Sequence, residues 1–133
     1  MTNSTLFQVE MEVRDYECDM EGIVNNAVYM NYLEHARHGF IRSKGLNFGE
    51  LIRQGIQLVV IRIEADYLLP LRSGDRFIVT ASAEKVSKLR FRFTQEIRRL
   101  PDAKSMLKAQ VFGTSLNAEG KPKYFDVIEK LFE

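Results

Sequence analysis

The chain has 133 residues, 45% of them hydrophobic, which is enough for one domain with a substantial core, and we expect a single domain over residues 1–133. Nineteen basic residues stand against 18 acidic ones, a formal charge of +1, so the overall charge favours neither nucleic acid nor a membrane surface as a partner. The single cysteine, Cys18, excludes an internal disulfide and zinc sites built from several cysteines.

The first residues lack the basic stretch and apolar segment of a secretion signal. No apolar run approaches the roughly 20 residues that a membrane-spanning helix needs. The sequence therefore predicts a soluble, cytoplasmic protein.

The first elements are a strand and a long helix. Residues 6–14 alternate apolar and polar side chains, which predicts a half-buried strand, and residues 15–26 are rich in turn formers. The period then changes to that of a helix from Ala27 to about Ser43. An asparagine just before it is a good N-cap, and Gly45 lies near the expected C′ position.

The second half of the chain consists mainly of strands. A short helix is predicted from Phe48 to Gln54, followed by an extended run from Ile56 to Leu69. Further strands are predicted over 76–86, 89–100 and 105–117, with a helical turn or two at 126–132. This order indicates an α+β fold with an antiparallel sheet against one long helix. Because such a sheet has open edges, we expect a homo-oligomer.

Two stretches of the sequence resemble a known family. The first runs from Val13 to Tyr29 and continues with the spacing Y-x-E-x-A-R from Tyr32; the second is D-Y-L-L-P-L-R-S-G-D, from Asp66 to Asp75. Both resemble the hotdog-fold acyl-CoA thioesterases of the 4-hydroxybenzoyl-CoA thioesterase-like branch, which includes the YbgC-like enzymes. The resemblance covers roughly residues 7–125.

The resemblance implies a hotdog fold, in which a curved antiparallel sheet of about five strands wraps a long central helix. It also implies homodimers that join their sheets edge to edge, often paired again into homotetramers, with the active site at the dimer interface. Coenzyme A would be part of the substrate, and no separate cofactor or metal is implied.

The acidic residue that the resemblance places near the start of the long helix is Asp19. A carboxylate there can attack the thioester directly or act as a general base for water, and the sequence leaves both open. Many relatives have a histidine where Ile23 or Asn26 stands, so Asp19 is expected to act without a neighbouring imidazole. The simpler alternative is that Asp19 is only a turn residue beside the helix dipole.

Hydrolysis also needs hydrogen-bond donors for the carbonyl oxygen as it becomes negative. A helix N-terminus offers unpaired amides and the positive end of the dipole, so we expect the amides of Val24, Asn25, Asn26 and Ala27 to supply them. Gly22 has no Cβ and is expected to let the substrate carbonyl approach the backbone closely.

Other candidate nucleophiles and ligands receive simpler interpretations. Neighbours in an extended segment point to opposite faces, so Cys18 is expected to be structural and not to share a pocket with Asp19. The alternating Glu17 and Glu21 are given no catalytic role.

The polar stripe of the long helix is also interpreted as structural. His35 and His38 are three residues apart, but the sequence offers no convincing further ligands for a metal, so they are interpreted as solvated or interface residues. Glu34 and Arg37 are interpreted as structural, either as an intrahelical ion pair or with Arg37, which leans to the apolar side, tying the helix to its surroundings. Tyr29 is expected to line the acyl pocket or to pack in the core.

Coenzyme A carries phosphates, which calls for basic residues. The regions that contact nucleotides in related thioesterases imply Lys88 and Arg90 in one group and Lys121 and Lys123 in another, with a solvated sheet face as the alternative. The aromatic residues between the basic ones, at 91 and 93, are expected to be core rather than a platform for nucleic acid.

The leading interpretation is an acyl-CoA thioesterase that releases a free acid and Coenzyme A, with an acyl-carrier-protein thioester as a variant of the same chemistry. The alternative is a non-catalytic hotdog module that binds acyl-CoA as a sensor or scaffold. A hotdog dehydratase is disfavoured, because it needs a histidine and none lies near Asp19 in the sequence.

Overall fold

A five-stranded antiparallel sheet packs against one long helix in the computed structural model, which describes residues 6–133. The strand order is β1-β3-β4-β5-β2. The predicted elements are confirmed, with ends that shift by no more than two residues. Their bounds are β1 Phe7–Glu12, α1 Asn26–Ser43, α2 Phe48–Arg53, β2 Gln57–Tyr67, β3 Arg76–Lys85, β4 Arg90–Leu100 and β5 Ser105–Leu116, with 3-10 turns at Asp15–Glu17 and Asp126–Phe132.

Helix α1 begins and ends where the sequence predicts. The side chain of Asn25 accepts a hydrogen bond from the Ala27 N–H at 2.8 Å, and Gly45, at φ +86°, follows the last turn. Side chains three and four residues apart form its buried stripe, which consists of Tyr29, Tyr32, Leu33, Ala36, Arg37, Phe40 and Ile41.

The core has two parts, one under each half of α1. Under the first half, Phe77 and Leu107 are fully buried against Tyr32 and Leu33. Under the second half lie Phe40, Ile41, Phe91, Phe93 and Val111. The prediction that the two phenylalanines of β4 belong to the core is therefore confirmed.

Strand β2 is an edge of the sheet. It pairs with β5 on one side, with a bulge between Val60 and Arg62, and no strand within residues 6–133 pairs with its other side. Val60, Ile63 and Tyr67 lie opposite buried positions of β5 yet are 47%, 40% and 51% exposed. An apolar strand edge of this kind favours pairing with another chain.

Of the two structural interpretations of Glu34 and Arg37, the ion pair is wrong, and the attachment of α1 to its surroundings through Arg37 is confirmed. Arg37 lies on the buried stripe, only 7% exposed, and its Nη1 donates to Oε1 of the buried Gln95 at 3.1 Å. Glu34 is exposed and lies 3.7 Å from Nε2 of His38. Both residues line one cavity beside α1, but no salt bridge joins them, because Arg37 is buried toward the sheet and Glu34 lies at the exposed rim.

Within residues 6–133, no helix combines the length and apolar character that crossing a membrane requires.

Gly113 of β5 makes room for an aromatic ring. A Cβ at this position would lie 2.5 Å from Cε1 of Phe91 and 3.0 Å from the carbonyl oxygen of Val59. We predict that Gly113→Ala lowers the free energy of unfolding by about 1–3 kcal/mol through overpacking. Denaturant unfolding measures this, and a double-mutant cycle with Phe91→Leu checks the cause. A cost that is unchanged in the Phe91→Leu background would contradict it.

Glu17 connects the loop between β1 and α1, residues 13–25 (the acidic loop), to helix α1 through hydrogen bonds. Its Oε1 accepts hydrogen bonds from the Tyr32 hydroxyl at 2.7 Å and the Arg14 N–H at 2.9 Å, and its Oε2 lies 2.8 Å from Nη1 of Arg14. Burial alone would raise the pKa of Glu17, but these hydrogen bonds outweigh burial and lower it. The carboxylate therefore stabilises the folded loop in its charged form.

We predict that Glu17→Gln destabilises the protein at neutral pH but not in acid. The pKa of Glu17 is lower in the folded than in the unfolded chain, so its contribution to the free energy of unfolding is complete above the unfolded pKa of about 4.3. This contribution is lost as the pH falls through the pKa of the folded state. Unfolding measured between pH 7 and pH 3 should show the variant's deficit shrinking with acid. Glu21→Gln, on an exposed side chain, is the control. A loss of stability in Glu17→Gln that does not change with pH would contradict the role assigned to the charged carboxylate.

Candidate active site

Backbone hydrogen bonds hold the loop that carries Asp19. The Asp19 N–H donates to the Ile23 carbonyl at 2.8 Å, and the Gly22 N–H donates back to the Asp19 carbonyl at 3.0 Å. The Val24 N–H donates to the carbonyl of Leu71 at 2.9 Å, which joins the loop to the segment after β2. The loop is therefore a fixed turn between β1 and α1.

One oxygen of the Asp19 carboxylate accepts hydrogen bonds within this turn. Its Oδ1 accepts from the Glu21 N–H at 2.9 Å and, weakly, from the Ile23 N–H at 3.5 Å. No residue in the described range 6–133 donates to Oδ2. The side chain is exposed and lines a cleft of about 480 Å³. Asp19 is thus a turn residue, as the simpler alternative supposes, and also presents a carboxylate to a cleft.

The cleft lies between the start of α1 and the end of β2. Its wall residues are Asp19, Ile23, Val24, Asn26, Tyr29, Tyr67, Leu68, Leu69 and Pro70. Two predicted site residues, Gly22 and Asn25, are not among them. Gly22 has φ +79°, a conformation that favours glycine, and open space surrounds its missing Cβ. The turn alone explains the glycine, and the approach of a substrate carbonyl stays a prediction. Asn25 acts as the helix cap.

Most of the amides expected to bind an oxyanion are already bonded. The N–H of Val24 donates to Leu71, that of Asn25 to Glu17, and that of Ala27 to the Asn25 side chain. Within the described residues, only the Asn26 N–H of this group has no protein acceptor. The expected run of free amides is therefore reduced to one donor, because the N-cap and the loop pairing use the rest.

Two tyrosines close the cleft. The Tyr29 hydroxyl accepts from the Leu71 N–H at 2.9 Å, and the Tyr67 hydroxyl donates to the Asn26 carbonyl at 3.1 Å. Their rings meet edge to face, with centroids 5.4 Å apart. Burial raises the pKa of Tyr29, so its phenol stays neutral. Sequence reasoning did not assign Tyr67 to the site, although it lies in the second family-like stretch.

Cys18 has the structural role that was predicted. It packs partly buried against the core and does not line the cleft. Burial raises the pKa of its thiol, and nearby carboxylates raise it further, which disfavours the thiolate. No group of three or more His, Cys, Asp or Glu side chains in residues 6–133 could hold a metal ion.

The predicted basic residues gather at the far end of the sheet. Arg90 pairs with Thr114 near the end of β5, the Lys123 N–H donates to the Ser115 carbonyl, and Lys88 lies near Tyr124. Lys121 lies in the same segment, with its N–H bonded to the Asn117 side chain.

That end of the sheet is distant from the cleft. Tyr67, in the cleft wall, pairs with Leu107 near the start of β5. From Leu107 to Ser115 is eight residues of strand, about 26 Å. Asp19 and the basic residues of one chain therefore do not share one cleft.

Comparison with known proteins agrees with this architecture. The pattern of the thioesterase superfamily matches residues 21–106. The chloroplastic acyl-acyl carrier protein thioesterase ATL3 of Arabidopsis thaliana is 41% identical over 119 residues, which cover 90% of this chain and 63% of that protein. This chain thus spans less than two thirds of the length of that relative.

Two solved structures show the same fold. A 1,4-dihydroxy-2-naphthoyl-CoA thioesterase from Synechocystis superposes with a TM-score of 0.87 at 21% identity, covering 96% of each chain. A Staphylococcus aureus protein solved in complex with CoA superposes with a TM-score of 0.86 at 20% identity, covering 98% of this chain and 83% of that one. The five-stranded sheet and its helix form a hotdog fold, and the chain belongs to the thioesterase superfamily.

Proposed function

We propose that this protein is a thioester hydrolase that cleaves an acyl-CoA, or the equivalent acyl-carrier-protein thioester, to a free acid and a thiol. The observation that carries the proposal is the Asp19 Oδ2, to which nothing in residues 6–133 donates, in a cleft that Asn26 also lines. The N–H of Asn26 has no protein acceptor in the same range. The Arabidopsis and S. aureus relatives support a substrate with a pantetheine thioester.

Asp19 acts by one of two routes. In the first, its carboxylate attacks the thioester carbonyl, the C–S bond breaks as the thiolate leaves, and water hydrolyses the resulting mixed anhydride. In the second, Asp19 takes a proton from the water that attacks the carbonyl, and the thiolate leaves and takes up a proton as the C–S bond breaks. As the thioester carbonyl becomes tetrahedral, its oxygen gains negative charge. The Asn26 N–H, at the positive end of α1, donates to that oxygen. Tyr29, neutral and on the same wall, contacts the acyl group.

A second copy of the chain completes the substrate site. A closed two-fold pair joined along the β2 edges places these strands antiparallel, so the start of one β2 lies beside the end of the other. Gln57, at the start of β2, pairs with Leu116 at the basic end of the sheet. The partner's basic end is thereby brought toward the cleft, where its lysines and arginine can bind the phosphates of Coenzyme A.

We predict that Asp19→Asn lowers turnover of acyl-CoA substrates by about 100-fold or more, as expected for loss of an essential base or nucleophile. Steady-state hydrolysis of a panel of aliphatic and aromatic acyl-CoA esters measures this. The asparagine keeps an Oδ1 that can accept from the Glu21 N–H, so the turn should survive and the melting temperature should change little.

The outcomes separate the two candidate functions. Equal turnover by wild type and variant would remove Asp19 from the mechanism. Acyl-CoA that binds without hydrolysis of any ester, by the wild type, would favour the sensor or scaffold. Glu21→Gln is the matched control, since it changes a neighbouring carboxylate that does not line the cleft.

We also predict that the protein is a dimer or a larger oligomer in solution and that Ile63→Lys weakens it. A charge at this half-exposed edge position opposes burial against a second copy. Sedimentation velocity should show smaller species for Ile63→Lys than for Thr94→Lys, which places the same side chain at an exposed position of β4. A wild-type monomer at micromolar concentration would contradict the proposed interface.

A further inference from the structure

The end of the acidic loop that carries Asp19 is a short hairpin, and the base of this hairpin lies at Glu17 and Asn25. The Asn25 N–H donates to the Glu17 carbonyl at 3.0 Å, and nearer the tip the Asp19 N–H donates to the Ile23 carbonyl. Asp19 is two residues beyond Glu17 on the first strand, about 7 Å along the chain. Asn26 comes directly after Asn25 on the second strand. The distance between the Asp19 carboxylate and the Asn26 N–H therefore depends on how each strand is held.

Different parts of the molecule hold the two strands of this hairpin. Leu71 holds the second strand, because its carbonyl accepts from the Val24 N–H at 2.9 Å. The first strand is joined to helix α1 by the Glu17 side chain, whose Oε1 accepts from the Tyr32 hydroxyl at 2.7 Å. In the part of the chain that the structure describes, no other side-chain hydrogen bond joins residues 15–19 to α1. This bond therefore fixes the first strand relative to the start of the helix.

Tyr32 is a rigid support for the bond. The residue is 1% exposed, and its ring packs against that of Phe77 with the centroids 4.7 Å apart. Tyr32 is six residues after Asn26, about 9 Å along the helix axis, and helical side chains tilt toward the N-terminus. Its hydroxyl is thereby directed toward the acidic loop. Burial raises the pKa of Tyr32, and the hydrogen bond to Glu17 raises it further, so the phenol stays a donor.

Glu17 itself does not line the cleft. Its side chain is only 11% exposed and is not part of the cleft wall. Besides the Tyr32 bond, its carboxylate accepts from the Arg14 N–H at 2.9 Å and from Nη1 of Arg14 at 2.8 Å. Hydrogen bonds to an ionised group are roughly twice as strong as neutral ones. The carboxylate is thus firmly held two residues from Asp19, where it contacts the fold and not the substrate.

We propose that Glu17 is a positioning residue for thioester hydrolysis, whose carboxylate sets the distance between the Asp19 oxygen and the Asn26 N–H. This role rests on the proposed function, because it concerns the same attack on the same carbonyl. Attack needs the reacting atoms about 3 Å apart, with the N–H about 3 Å from the carbonyl oxygen. A displacement of about 1 Å in such a geometry costs up to about 100-fold in rate.

The first test is steady-state hydrolysis by Glu17→Gln, which keeps the shape of the side chain and removes its charge. We expect kcat to fall at least about tenfold and KM to stay within about twofold, because the transition state is affected more than substrate binding. Ile56→Val is the control, since it removes a buried methyl group under the second half of α1 and lowers stability there. Its kcat should be unchanged. An unchanged kcat in Glu17→Gln, or equal losses in both variants, would overturn the proposal.

Tyr32→Phe tests the same contact from the helix side and keeps the aromatic packing. We expect a similar fall in kcat, and no further fall when Tyr32→Phe is combined with Glu17→Gln, because both variants remove one contact. Losses that add in the double variant would overturn the proposed contact. Should Glu17→Gln fail to fold, Tyr32→Phe decides alone, and an unchanged kcat there would overturn the proposal.

A spectroscopic measurement reports on the position of the donor directly. A thioester labelled with carbon-13 at its carbonyl is bound to Asp19→Asn, and its carbonyl stretch is recorded by isotope-edited infrared difference spectroscopy. A hydrogen bond from the Asn26 N–H polarises the carbonyl and lowers the frequency of this band. Adding Glu17→Gln should shift the band toward that of the free ester, whereas lower stability alone leaves it in place. An unmoved band would overturn the proposal.

The outcomes separate this role from the proposed function. Hydrolysis by the wild type that is lost in Asp19→Asn, but retained at full kcat in Glu17→Gln and Tyr32→Phe, would overturn the positioning role alone. Failure of the wild type to hydrolyse any thioester would overturn both.

Discussion

The peptide group of Leu71 ties the site together. Its carbonyl accepts from the Val24 N–H in the acidic loop, and its N–H donates to the Tyr29 hydroxyl on α1. Leu71 is fully buried, so neither bond can be exchanged for water. The loop, the helix and the segment after β2 are therefore fixed together at one residue. The position of Asp19 depends on all three.

The features of the fold that depend on hydrophobic periodicity and on helix capping are predicted from the sequence. Alternation locates the strands, and the spacing of polar and apolar residues locates α1 and its asparagine cap, while the family resemblance points to Asp19. Which backbone amides already have a hydrogen-bond acceptor is not predicted in this way, because it depends on which groups meet in three dimensions. The amides of Val24 and Asn25 are bonded to residues that are 47 and 8 positions away, which no local pattern reveals. Likewise, Arg37 turns from Glu34 to Gln95, 58 positions away.

The strand order has a consequence for how the molecule folds and opens. Strands β3, β4 and β5 pair as consecutive hairpins, whereas β2 must find β5 across the two intervening strands. Pairings that are distant in sequence form late, because their loop-closure entropy is not yet offset by other contacts. An edge strand of this kind is also expected to open more readily than the central strands. The cleft is thus built on one of the two long-range strand pairings of the sheet, and a ligand or a second copy bound there would stabilise the whole fold by mass action.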